Sequence, residues 1–120
     1  MTALKVLFYL ATLPIVLLVG FYGGAIDILL EEQVIMANDS LKYPLYFFPM
    51  LGVFKIMGGI ILLLPKDFNR IKEWAYAGFT FDFIAASYSH FAVGDPIEKI
   101  AAPLVLLVVL AISYFLKDKI

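Results

Sequence analysis

Four apolar runs constrain this chain more than any other feature. They cover about residues 4–30, 46–64, 71–91 and 100–116. A bilayer core about 30 Å thick needs roughly 17–25 mostly apolar residues, each rising about 1.5 Å along a helix. Every run is therefore long enough to cross one. A water-soluble fold of this size could not hide them, because small domains bury the smallest fraction of their surface. Composition agrees: 63% of residues are hydrophobic and 16% charged, with a mean hydropathy of +0.97, against about 45–50% and about 25% in soluble domains. The sequence thus predicts an all-α membrane protein, a four-transmembrane-helix antiparallel bundle. Residues 1–120 form its single domain, and the lipid bilayer is its solvent.

The connections support four separate helices. In "PKDFNR", Pro65 ends one helix and Asp67 or Asn69 can cap the next. In "GDPIEK", Gly94 stops a helix, Asp95 can cap, and Pro96 suits a first turn. "EEQVIMANDSLKYP" reads as a polar connection whose Val34, Ile35 and Met36 rest at the membrane surface. The first run follows Lys5 like a signal peptide, but its apolar core is too long and no small-residue cleavage site follows it. It reads as a retained helix, modestly kinked at Pro14.

Charge orients the bundle. Lys5, Lys66, Arg70, Lys72, Lys117 and Lys119 fall at one end, and only Lys42 and Lys99 at the other. Basic loops stay in the cytoplasm, so both termini are expected to be cytoplasmic and the protein to be multi-pass, in a bacterial inner (cytoplasmic) membrane. Trp74, Tyr76 and Tyr114 then form the inner aromatic belt, and Tyr43, Tyr46 and Tyr88 the outer one. Cysteine is absent, which excludes disulfides, thiol redox chemistry and iron–sulfur clusters in this chain. A net charge of −1 gives no reason to expect nucleic acid.

Lys55 is the anomaly. It lies within the second run, about 15 Å from the Pro65 end, where an unpaired charge costs about 2.5–3.5 kcal/mol on insertion scales. Asp82 on the third run lies at nearly the same depth, so the expectation is a Lys55–Asp82 ion pair that either fixes helix register or serves a ligand. Small residues collect around it. Gly52, Lys55 and Gly59 share a face of the second helix, and Ala75, Gly78, Asp82, Ala86 and Ser89 form a stripe on the third. Thr12, Val16, Gly20, Gly24 and Asp27 line one side of the first. Small residues let membrane helices approach closely. The fourth helix lacks such a stripe and is expected at the periphery.

The segment "YPLYFFPMLGVFKIMGGIILLLP" followed by "IKEWAYAGFTFDFIAASYSHFAVGDP" resembles the DoxX-like membrane proteins. The likeness rests on the G-x-x-K of Gly52 and Lys55, the LLLP helix end, the KEWAYAGF-x-F-D run and the S-H-x-x-x-GD ending, over residues 43–96. It implies a small four-helix membrane bundle. Relatives include a subunit of a thiosulfate:quinone oxidoreductase, proteins tied to redox stress, and eukaryotic members that assist receptor assembly. The resemblance carries over no catalytic residue.

Two functional expectations follow. In the first, a quinone-like ligand sits between the first three helices, with Lys55 donating to a carbonyl oxygen and Asp82 tuning that lysine. Gly52, Gly59, Gly78, Ser89, Asp27, His90 and Tyr46 would line the site. Lacking a metal, thiol or nucleophile of its own, the chain would be at most the quinone-site subunit beside a redox partner. In the second, it is an assembly or interaction module whose small stripe recognises partner transmembrane helices, a further copy of itself included. His90 reads first as a hydrogen-bonded interfacial group. Asp27 and Glu31 share its side without the spacing of a metal motif, so no metal site is expected.

Overall fold

The computed structural model describes residues 2–120. It contains five helices and, among the described residues, no strand. Helix α1 runs continuously over Ala3–Leu29, α2 over Glu32–Leu41, α3 over Phe47–Leu62, α4 over Asn69–Ala92 and α5 over Ile97–Lys117. Thr2 caps α1 by accepting from the Lys5 backbone N–H. A short 3₁₀ turn, Lys66–Phe68, leads into α4, and Gly94 adopts φ 78° where α4 gives way to α5.

Helices α1 and α4 both pack against α3 and against α5, so the four long helices close into a ring. The Ile120 main-chain carboxyl oxygen accepts from the Lys66 side chain, and Lys5 and Lys72 line the same cavity as Lys117. Both chain ends and the α3–α4 turn therefore lie at one end of the bundle. The longest dimension is 44 Å, the thickness of a bilayer with its headgroups. Two helices, α1 and α5, are long and apolar enough to cross a membrane, and α3 is a shorter apolar helix. Leu10, Leu18, Phe54, Phe81, Val105 and Phe115 stand exposed around the ring, which water would penalise and lipid would not.

Helix α2 was legible only as a loop. It begins after a Schellman turn in which the Glu31 N–H donates to Ile26 O at 3.0 Å and the Leu30 N–H to Asp27 O at 3.2 Å. It ends where the Lys42 N–H donates to Asn38 O at 2.9 Å. Leu30 and Lys42 take positive φ at these two reversals. Val34 and Asn38, one turn apart, are buried, whereas Ile35 and Met36 are exposed.

The second departure is in α5, which is mostly exposed as expected but enters the core at one point. Ser113 is fully buried and joins three helices: its hydroxyl lies 2.5 Å from that of Thr12 on α1 and 2.7 Å from that of Tyr76 on α4. Tyr76 is therefore a core residue and not part of an aromatic belt. Around these hydroxyls pack Ile15, Val16, Leu62, Phe79, Phe83 and Leu110. Trp74, Tyr46 and Tyr88 are largely exposed, as a belt requires.

Candidate functional site

The five positions predicted to line one side of α1 are all buried. Their repeat of four residues from Thr12 to Gly24 runs ahead of the 3.6 residues of an α-turn. Residues Ile15–Tyr22, directly after Pro14, are π-helical. Their wider i→i+5 turns bring the repeat back onto the face that meets α3.

Glycines set how closely that face approaches. A Cβ on Gly52 would stand 2.5 Å from Gly24 O and 3.0 Å from the Asp27 Cβ. One on Gly20 would stand 3.2 Å from both Gly59 Cα and Lys55 O. Backbone lies against backbone along the α1–α3 seam, and the ideal Cβ of Gly23 would stand 3.9 Å from Lys55 Nζ. Lys55 Nζ donates to Asp27 Oδ2 at 2.8 Å, with side-chain exposures of 18% and 7%.

The predicted Lys55–Asp82 pair is thus corrected to Lys55–Asp27. Matching Cα depths picked the wrong carboxylate for two reasons. Lysine carries its ammonium several ångströms from its Cα, and helical side chains lean towards the N-terminus of their helix, so Nζ reaches the level of Gly52 and Asp27. The glycine seam also brings α1 nearer to α3 than the larger side chains allow α4 to come. Asp82, half-buried, makes neither a hydrogen bond nor an ion pair among the described residues. It still lies within electrostatic range of both Lys55 and Asp27, because α3 stands between α1 and α4. The arrangement is one ammonium, one paired carboxylate and one unpaired carboxylate within an apolar bundle.

The remaining candidates divide. Gly52 and Gly59 belong to the seam. Gly78 is exposed, with nothing within 4 Å of where its Cβ would stand, so it faces away from the bundle. Tyr46 is 76% exposed. Ser89 hydrogen-bonds the Tyr43 hydroxyl, and His90 Nδ1 lies 2.6 Å from Asp95 Oδ2. Ser40 of α2 donates to that same oxygen at 2.9 Å, and Asn38 and Tyr43 exchange two hydrogen bonds of 2.8 Å. These contacts tie α2 across the end of the bundle as a cap. The His90 hydrogen bond, aided by Ser40, holds the Asp95 carboxyl below its ordinary range. Sequence reasoning had placed His90 at this end without its partner, although Asp95 follows it by one helical turn and a residue.

A family model described as the DoxX-like family matches residues 10–113, a span that includes the α1 stripe, the α1–α3 seam, Lys55, Asp82 and Ser113. The chain belongs to the DoxX-like family. The match extends well beyond the 43–96 resemblance, taking in most of α1 and of α5. Family membership and two spanning-length helices make it a membrane-associated helical protein. No curated protein and no solved structure matches the chain.

Proposed function

We propose that this DoxX-like chain crosses a bacterial inner membrane four times with both termini inside, and that it binds the polar end of a quinone-like ligand at the Lys55–Asp27–Asp82 cluster, as an accessory component of membrane redox metabolism. The exposed apolar surface and the concentration of basic residues at the end that holds both termini support the topology. One observation carries the site: among the described residues, Asp82 is a carboxylate without a partner, within range of a lysine that makes one side-chain hydrogen bond. Lys55 has N–H groups left that would donate to a carbonyl oxygen, and Asp82 would exchange a proton with a reduced ligand's hydroxyl. Intramembrane charges of this kind mark ligand and proton paths.

Thermal unfolding of the purified protein in detergent, with and without a short-chain quinone, tests the proposal. The wild type should be stabilised, by about 2.7 kcal/mol at a hundredfold excess over Kd. Asp82→Asn should fold normally and lose most of that gain. No shift with several quinones up to their solubility would refute quinone binding.

A second reading rests on Gly78. It lies one turn from Asp82 on an α4 face that also exposes Trp74 and Phe81. A partner transmembrane helix could approach there as α1 approaches α3. Gly78→Leu should then leave the fold intact and abolish co-purification of the partner, which quinone binding alone does not require.

A further inference from the structure

A different set of charges gathers at the opposite end from the α2 cap. Lys5, Lys66, Lys72 and Lys117 line a cavity of about 370 Å³ with Phe8 and Leu62 at its wall, and no Asp or Glu lines it. Lys117, almost wholly buried, is neutralised from outside the cavity by Glu73 at 3.0 Å and Asp118 at 3.2 Å. Lys72 is 6% exposed and receives only the longer-range attraction of Asp118. Its Nζ donates to Leu64 O at 2.8 Å and lies 6.0 Å from the Phe8 ring centroid, and no carboxylate pairs with it among the described residues. Lys66 donates to the main-chain carboxyl oxygen of Ile120, and the Lys5 ammonium has no partner among the described residues. A buried cation held by one neutral carbonyl is expensive, and Lys72 beside Lys5, Lys66 and Lys117 gives the cavity an excess of positive charge over the single Ile120 carboxyl that lines it, which suits an anion.

What the anion is attached to follows from the neighbouring surface. Tyr9 lines the lysine cavity and also an apolar groove of about 570 Å³ that continues along α1 past Leu10 and Leu13 to Leu18. A charged pocket at the bundle's end opening onto an apolar groove along its side has the shape of a phospholipid, with phosphate in the first and an acyl chain in the second. The geometry points to a specific site for an anionic phospholipid, its phosphate held by Lys5, Lys66 and Lys72 and one chain lying on α1. Basic pockets between membrane helices bind anionic headgroups in this way. The site is separate from the Lys55 cluster and does not depend on its function.

The test uses the full chain, purified and delipidated in a neutral detergent, with binding followed by native mass spectrometry and thermal shift. The probes are dioleoyl phosphatidylglycerol, dioleoyl phosphatidylcholine, and glycerophosphoglycerol, which is the first headgroup without its chains. Phosphatidylglycerol should bind and stabilise, phosphatidylcholine much more weakly, and glycerophosphoglycerol not measurably. Lys5→Gln with Lys66→Gln, both at exposed positions, should weaken phosphatidylglycerol binding by about 25-fold, from about fivefold per lysine. Lys42→Gln, at the other end, should change nothing. Equal binding of the two lipids, equal binding of the chain-free headgroup, or an unaffected double-lysine variant would each overturn the assignment.

Discussion

Replacing Lys55 by methionine would leave Asp27 as a carboxylate only 5% exposed and without its cation. At the observed 2.8 Å, the gross attraction between the charges is about 6 kcal/mol for an effective dielectric of about 20. Desolvation of both groups offsets much of that, yet breaking one side of a buried pair typically costs about 3–5 kcal/mol. Lys55→Met should therefore destabilise by about that amount, and Asp27→Leu comparably, because each strands the other's charge. Combined, they should recover most of the loss, since apolar residues of similar volume often replace a buried pair at little cost. The informative comparison is a second cycle with Asp82→Leu. Asp82 makes no direct contact with Lys55, so its coupling to Lys55 should be well below the Lys55–Asp27 coupling. Both cycles can be read by SDS-driven unfolding in mixed micelles followed by circular dichroism. Additive losses for Lys55 and Asp27, or an equal or larger coupling with Asp82, would refute the assigned pair.

Three further outcomes follow from the packing. Gly52→Ala forces a methyl to 2.5 Å from a backbone oxygen that cannot move aside and should cost about 1–3 kcal/mol, whereas Gly78→Ala meets open space and should stay within about 0.5 kcal/mol, both by the same unfolding assay. Ser113→Val removes the shared partner of the buried Thr12 and Tyr76 hydroxyls and should destabilise by about 1–3 kcal/mol, more than Ser113→Thr if that hydroxyl keeps its bonds. The lowered Asp95 carboxyl makes docking of α2 pH-dependent: its contribution is present above the ordinary aspartate value of about 3.9 and disappears as pH falls through the depressed value. Protection factors of residues 32–41, that is, exchange corrected for the intrinsic rate at each pH, should therefore fall in acid, and Asp95→Asn should remove that step while lowering protection at neutral pH.

The sequence alone determined the helices that matter, because run length and turn chemistry are local. Apolar stretches of spanning length become helices in any setting that deprives the backbone of water, and Pro65 and Gly94 punctuate them through φ and a missing N–H. The buried face of α1 was also legible, since small residues four apart must lie together. Three things were decided only by the tertiary structure. The α2 segment carries too few apolar residues to announce a helix, and it is held by Ser40–Asp95 and Tyr43–Ser89 contacts with residues far along the chain. The role of α5 rests on Ser113, a single hydroxyl in an aliphatic helix, whose Thr12 and Tyr76 partners lie 101 and 37 residues away. The partner of Lys55 could not be read either. Sequence gives depth along a helix, whereas pairing depends on rotation, on how closely two backbones approach, and on which way a long side chain extends. Gly24 against Gly52 settled the approach, the π-helical turns after Pro14 settled the rotation, and the reach of lysine towards the end of α1 settled the carboxylate.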